Sequence, residues 1–217
     1  MGTLTHQNSL KRRQSLRAPK RKFVIFCEGA NTEPVYFRAL QQYFIGAIID
    51  IEILGAAGVP TTIARKAVAE AASIRRNNRK RNQSFGQLDE VWAVFDQDAH
   101  LHVAQAIAQC RDAGVGVAYS NPCFELWLAL HIQDFDQACD RHTIQKHLEG
   151  VCPEYDRNSG KSPNCNKLVK SVSIAETRAI SQFQRRIDEG SSMGPPSTTV
   201  HLLTIALREA SASFSRT

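Results

Sequence analysis

Three carboxylates directly follow apolar runs that are typical of buried strands. Glu28 comes after residues 23–27, and Asp96 and Asp98 come after residues 91–95. Ligands of parallel α/β sheets bind outside the carboxyl ends of the strands, where the strand order reverses, so these acids converge if the two strands are neighbours. Mg²⁺ takes oxygen ligands, often one or two carboxylates together with water and phosphate. The pattern predicts a divalent-cation site formed by Glu28, Asp96 and Asp98.

Each of these acids also has a structural interpretation. Glu28 could interact with the dipole of the helix that follows it, and Asp96 and Asp98 could cap a helix predicted from about residue 100 to residue 113. A lone D-x-D pair is weakly specific. Two buried strands that both end in an acid are harder to explain by capping alone, so we favour the metal interpretation.

A fourth acid, Glu125, follows the fourth predicted strand in the segment SNPCFELW, residues 120–127. It falls near the first turn of a predicted helix, where a carboxylate interacts favourably with the helix dipole. The functional alternative is a further metal ligand or a residue that positions water. His131, on the same helix, is interpreted as a core residue, because a single histidine on an apolar helix is usually packed.

Basic residues are concentrated away from these acids in the sequence. Residues 1–22 contain seven basic residues and no acid, whereas residues 86–140 contain nine acids and one basic residue. Basic segments of this kind neutralise phosphates without reading sequence, although they could also be ordinary solvated surface. The predicted nucleic-acid-binding residues are Lys20, Arg21, Lys22, Arg75, Arg76, Arg79, Lys80 and Arg81.

Strand and helix patterns alternate four times before the pattern becomes helical. This alternation predicts an α/β protein with a mostly parallel, Rossmann-like sheet of four strands flanked by helices, followed by a helical C-terminal appendage. The predicted strands are 23–27, 48–54, 91–95 and 115–119, and later helices are predicted at 124–132, 168–187 and after Ser197 or Thr198. The expected organisation is a flexible basic arm at 1–22, an α/β core at 23–135 and a helical part at 136–217 packed on the core.

Several protein classes are excluded by composition. Hydrophobic residues make up 42% of the 217 residues, which is enough for a packed core, and no apolar run is long enough to span a membrane. Glu28 interrupts the first apolar run too early for a secretion signal. The six cysteines include no C-x-x-C pair, so reduced, mostly buried thiols are expected. We expect a soluble cytoplasmic protein with no membrane partner.

Three segments resemble motifs of the RloB-like family. Residues 23–37, FVIFCEGANTEPVYF, resemble its opening motif, residues 120–127 resemble its central motif, and residues 195–201, PPSTTVH, resemble its C-terminal signature. The resemblance extends from residue 23 to about residue 207 and leaves out the basic arm.

This resemblance implies a fold and a site. The family is similar to Toprim domains, the metal-binding cores of topoisomerases, primases and OLD-type nucleases, in its order of a glutamate followed by D-x-D. The resemblance implies that Glu28 is the Toprim glutamate and that Asp96 and Asp98 are its aspartates, while Glu125 belongs to the family's own motif. It also implies Mg²⁺ or Mn²⁺, an association with bacterial restriction and abortive-infection loci, and a partner ATPase. The chain itself has no G-x-x-x-x-G-K-[ST] motif.

The expected function is that of a Toprim-like, metal-dependent nuclease that acts on DNA or RNA in anti-phage defence. Its catalytic residues would be Glu28, Asp96, Asp98 and Glu125, with Glu28 as a metal ligand or general base. One alternative is a nucleic-acid-binding adaptor or sensor subunit with a degenerate site. A sugar transferase that uses D-x-D fits the aspartates but not the basic segments.

The basic segments generate the first test. Removing the arm, or changing Arg75, Arg76, Arg79, Lys80 and Arg81 to Ala, should weaken nucleic-acid binding equally for all sequences. The plot of the logarithm of the association constant against the logarithm of the salt concentration should become shallower by about 0.9 for each phosphate that the variant no longer neutralises. Anisotropy titrations at several salt concentrations measure both quantities. An unchanged affinity and slope in both variants would assign these charges to ordinary surface.

Overall fold

The apolar runs of the sequence form the sheet of the computed structural model, which describes residues 21–29, 31–44, 47–53, 59–81, 89–97, 102–158 and 163–215. β-Branched and aromatic residues dominate these runs, as expected for strands that are covered on both faces. The strands are β1 (Arg21–Cys27), β2 (Ala47–Ile53), β3 (Glu90–Asp96), β4 (Gly116–Asn121) and β5 (Ser197–Thr198).

The sheet has the strand order β2-β1-β3-β4-β5. The first four of these strands are parallel, which confirms the predicted four-stranded parallel sheet, and the short β5 is antiparallel to β4. The chain goes from β1 outward to β2 and then returns past β1 to β3. The strand order therefore reverses between β1 and β3, where Cys27 is paired with Val94.

Helices cover both faces of the sheet. Most begin or end at residues that suit helix termini, such as Asp140, whose side chain accepts a hydrogen bond from the Thr143 amide at 2.8 Å. Gly114 follows a helix with a φ of 63°, a conformation that favours glycine. The helices are α1 (Thr32–Tyr43), α2 (Pro60–Arg81), α3 (Val103–Asp112), α4 (Glu125–Ile132), α5 (Arg141–Val151), α6 (Cys165–Leu168), α7 (Val172–Asp188) and α8 (Val200–Ser215).

The buried side chains form one cluster on each face of the sheet. Phe23, Ile25 and Cys27 of β1 pack on one face with residues of α1, α4, α7 and α8. Val24 and Phe26 point to the other face and pack with α2 and α3. This alternation places α1 on one side of the sheet and α2 with α3 on the other, as right-handed crossovers from β1 to β2 and back to β3 require.

Four local predictions differ from the structure. The predicted 168–187 helix is interrupted by a short 3₁₀ segment, Val169–Ser171, between α6 and α7. Ser197 and Thr198 form the short β5 and pair with Asn121 and Ser120 of β4, and the Thr198 Oγ1 also accepts a hydrogen bond from the Val200 amide at the start of the last helix, at 3.3 Å. Helix α5 was not predicted. Strand β1 begins at Arg21, so Arg21 and Lys22 are strand residues, whereas Lys20 and the rest of the arm lie outside the described residues.

The buried polar and sulfur groups mostly behave as predicted. His131 is buried beside Trp127, and its Nε2 lies 2.9 Å from the Tyr36 hydroxyl. Burial lowers the pKa of His131 to about 3, so its ring is a neutral core group. All six cysteines are free, and all but Cys139 are buried. Across the described ranges, no helix has the length and apolarity needed to cross a bilayer.

Candidate functional site

Glu28 and Asp96 lie at the same end of the sheet. Glu28 directly follows β1, and Asp96 is the last residue of β3. Because β1 and β3 are parallel neighbours, both acids lie at the carboxyl end of the sheet, at the point where the strand order reverses. Glu28 is half-buried and Asp96 is buried. Asp98, the second aspartate of the D-x-D pair, lies outside the described residues.

Asp96 forms an ion pair with Arg141. The Arg141 Nη2 donates to Asp96 Oδ2 at 2.9 Å, and the Asp96 side chain is 10% exposed against 41% for Arg141. Arg141 is the first residue of α5, so this helix supplies the positive charge at the end of β3. A buried carboxylate is costly without such a partner, and the pair therefore offsets part of the desolvation of Asp96.

Glu125 faces the same region from the first turn of α4. Its side chain is buried, and its Oε1 accepts hydrogen bonds from the Tyr155 hydroxyl at 3.1 Å and from Gln145 Nε2 at 3.4 Å. Burial, together with the charges of Glu125 and Asp96, raises the pKa of the Cys123 thiol, which both carboxylates approach. Glu125 is thus held in a fixed position by Tyr155 and Gln145, and its charge and that of Asp96 act on the same thiol.

A fourth carboxylate, Glu33, joins these three from the first turn of α1. Its side chain is buried and folds back over Gly29, where any side chain at position 29 would collide with the Glu33 carboxylate. Burial is the main cause that raises the pKa of Glu33, and the charges of Glu125 and Glu28 raise it further. Backbone N–H groups of Glu33 and Gly29 act in the opposite direction. We call Glu28, Glu33, Asp96 and Glu125 the acidic cluster.

The other ionisable groups near the acidic cluster stay neutral. Burial, followed by the charge of Glu33, raises the pKa of Cys27. Burial also raises the pKa of Tyr119 and of Tyr155, with smaller contributions from Asp96 and Glu125 respectively. These groups remain thiols and phenols at neutral pH, so they serve as packing groups and hydrogen-bond donors rather than as ready nucleophiles.

The predicted basic residues that the structure describes are not close to the acidic cluster. Arg21 and Lys22 begin β1, so they lie at the amino end of the sheet, about 20 Å from Glu28 for a seven-residue strand. Helix α2 starts after β2 and ends before β3, which puts its basic C-terminal turns at the same amino end. Arg75, Arg76 and Arg79 are exposed there.

Two of these basic residues also have local structural roles. Arg21 pairs with Glu90, and its guanidinium lies 5.4 Å from the centre of the Phe23 ring. Arg75 donates to the Ala113 carbonyl at the end of α3. The side chains of Lys80 and Arg81 lie outside the described part of the chain. Because Arg21 and Lys22 belong to β1, a truncation that removes only the arm should stop at residue 20.

The donor set of the acidic cluster suits a hard divalent cation. Carboxylate oxygens of Glu28 and Asp96 are the ligand type that Mg²⁺ and Mn²⁺ prefer, and Mg²⁺ commonly keeps several waters beside one or two carboxylates. Among the described residues, no group of three or more His, Cys, Asp or Glu side chains is arranged so that it could hold a metal ion, and Asp98 lies outside those residues. Glu28 and Asp96 alone would hold the ion in an open site in which water and substrate complete the coordination.

A comparison with protein families identifies the chain. The family model described as RloB-like protein matches residues 23–207, a range that includes the whole acidic cluster and Arg141. The chain belongs to the RloB-like family. No curated protein and no solved structure matches it. The family assignment confirms the resemblance that the three sequence segments indicated.

In this RloB-like protein, two residues of the site were not predicted from the sequence. Glu33 is five residues after Glu28 in the same family motif, but a first-turn acid is ordinarily explained by the helix dipole. Arg141 is placed by α5, whose N-cap Asp140 and buried Ile144 and Leu148, four residues apart, are a recognisable helix pattern. Its contact with Asp96 spans 45 residues and has no local signal.

Glu33 supplies a stability test. A carboxyl with a raised folded-state pKa contributes stability below the unfolded pKa of about 4.3, and this contribution is lost as pH rises through the folded value. At pH 7, the cost of ionising the buried Glu33 carboxyl lowers the free energy of unfolding. Glu33→Gln removes this cost, so it should raise the melting temperature at pH 7 relative to wild type. The difference should shrink towards pH 4. Thermal melts from pH 4 to 8 measure it.

The matched control is Glu209→Gln, which changes an exposed glutamate of α8. Its melting temperature should follow the wild type at every pH. A Glu33→Gln protein that melts lower than wild type at pH 7 would show that a charged Glu33 stabilises the start of α1, and would contradict the interpretation.

Proposed function

We propose that this RloB-like protein is a Toprim-like nuclease that hydrolyses phosphodiester bonds of DNA or RNA with Mg²⁺ or Mn²⁺. The observation that carries the proposal is the position of Glu28 and Asp96 at the reversal of strand order between β1 and β3. Open α/β sheets bind their ligands there. The proposal extends to anti-phage defence, with a separate ATPase as partner, because the RloB-like family is associated with restriction and abortive-infection loci.

Mutual repulsion within the acidic cluster supports cation binding. Glu125 and Glu28 are close enough to Glu33 for their charges to raise its pKa, so an approaching positive charge would stabilise the cluster. Arg141 already neutralises part of the negative charge through its contact with Asp96. A divalent cation beside Glu28 and Asp96 would neutralise more of it.

Each acidic residue of the site has a proposed role in hydrolysis. Glu28, Asp96 and Asp98 would hold Mg²⁺ or Mn²⁺, which when bound neutralises the scissile phosphate and lowers the pKa of an attacking water. Glu28 is the candidate general base if it is not a ligand. Glu125 is fixed by Tyr155 and Gln145, so it can accept a hydrogen bond from water in a constant direction.

The basic residues at the amino end of the sheet would hold the nucleic acid outside the reaction centre. Arg76 and Arg79 are exposed on α2, and phosphate contacts of this kind position the substrate without selecting its sequence. A nucleic acid that touches both ends of the sheet has to extend over about 20 Å, which is about three nucleotides of an extended single strand or six base pairs of B-DNA.

A second function is favoured by the Asp96–Arg141 ion pair. Arg141 is paired with one of the proposed metal ligands, Asp96, and no group of three or more potential ligands among the described residues is arranged to hold a metal ion. These features suit a nucleic-acid-binding adaptor or sensor subunit whose Toprim-like site is degenerate. The two functions differ in one property, because only the nuclease converts its substrate when metal is added.

A cleavage assay separates them. The purified wild-type protein should cleave at least one member of a panel of single-stranded and duplex DNA and RNA with Mg²⁺ or Mn²⁺, and EDTA should abolish cleavage. Glu28→Gln should reduce the rate by about 100-fold or more with unchanged substrate affinity, since losing a positioned acid or base costs on this scale.

The control for this assay is Glu70→Gln, which changes a half-buried glutamate of α2 far from the acidic cluster. It should cleave at the wild-type rate. Cleavage that survives Glu28→Gln would remove Glu28 from the mechanism. Tight binding without cleavage under any metal, with and without the partner ATPase, would establish the adaptor function.

A further inference from the structure

The acidic cluster needs a positive group beside it if a phosphodiester is to approach. The predicted basic residues Arg21 and Lys22 lie at the other end of the sheet, and Arg75 is held by the carbonyl of Ala113. Four carboxylates without a neighbouring base would repel the substrate phosphate. A basic side chain within reach of the cluster is therefore of direct functional interest.

Arg141 is such a side chain. Its guanidinium lies 2.9 Å from Asp96 Oδ2, and its charge acts on the Cys123 thiol together with those of Glu125 and Asp96. Asp96 is buried but the Arg141 side chain is 41% exposed, so part of the arginine side chain reaches solvent beside a buried acid. The arginine is also anchored, because Asp140 caps α5 directly before it and Ile144 and Leu148 are buried.

We propose that Arg141 binds the substrate phosphodiester at the mouth of the acidic cluster, a role that rests on the proposed function. A guanidinium presents five N–H donors in a planar fork, so it can donate to phosphate oxygens as well as to carboxylates. The ion pair with Asp96 then orients the arginine for its ligand. The same contact places the phosphodiester beside the carboxylates that would hold the metal.

A purely structural role for Arg141 makes a different prediction. If the arginine only neutralises Asp96, its removal affects folding and leaves nucleic-acid affinity unchanged once the protein is folded. The two roles separate in the background of Asp96→Asn, where the aspartate charge that needs neutralising is gone. Comparing Asp96→Asn with Asp96→Asn/Arg141→Ala therefore measures the phosphate contact alone.

The experiment is an anisotropy titration with the oligonucleotide that the wild-type protein binds best. EDTA is present to prevent cleavage, so the assay measures binding whether or not the protein is a nuclease. Arg141→Ala should weaken binding by about 10- to 100-fold, the scale of one charged hydrogen-bonded contact. The plot of the logarithm of the association constant against the logarithm of the salt concentration should become shallower by about one. Asp96→Asn/Arg141→Ala should be weakened by the same factor relative to Asp96→Asn. Arg157→Ala is the matched control, because Arg157 is also partly exposed and paired, with Glu149.

Each outcome decides the proposal. Weaker binding by both Arg141 variants with a wild-type affinity for Arg157→Ala supports it, even if wild type cleaves nothing and the nuclease function fails. Unchanged affinity in the double variant, or equally weakened binding by Arg157→Ala, overturns it. Wild type that binds no member of the DNA and RNA panel overturns both the Arg141 role and the proposed function.

Discussion

The parallel pairing of β1 with β3 is the contact on which the site depends. It joins two strands that are separated in sequence by β2 and the long helix α2, and it places the residues after Cys27 beside those after Val94. A one-residue shift in this register would turn Asp96 towards the opposite face of the sheet, away from α4 and α5. The two buried clusters, one on each face, fix that register, because every residue of β1 from Phe23 to Cys27 is buried.

The same pairing creates an electrostatic problem that the rest of the fold only partly solves. Burial at the end of the sheet desolvates Glu33 and Asp96, and the charges of Glu125 and Glu28 add to the cost for Glu33. Arg141 offsets the cost for Asp96, and backbone N–H groups offset part of it for Glu33. A site that leaves such repulsion in place is less stable than it could be, which is the usual relation between a functional site and its scaffold.

Much of the fold could be predicted from the sequence because its strongest signals are local. The apolar run from Phe23 to Cys27 and the Gly114 helix end each need only a few residues to be recognised. The pairing of Ser197 and Thr198 with β4 could not be predicted, since two residues carry no strand pattern and the contact spans 78 residues. At the site, Glu28 and Asp96 were identifiable from strand ends, whereas the Asp96–Arg141 contact exists only once α5 is packed.

Mn²⁺ located by anomalous diffraction from a crystal of the wild-type protein tests most directly whether the acidic cluster is a cation site. We expect an anomalous peak at the carboxyl end of the sheet, at coordination distance, about 2.0–2.3 Å, from carboxylate oxygens of Glu28 and Asp96. A fully occupied Mn²⁺ elsewhere, with no peak at Glu28 and Asp96 at saturating Mn²⁺, would contradict a cation site at the acidic cluster.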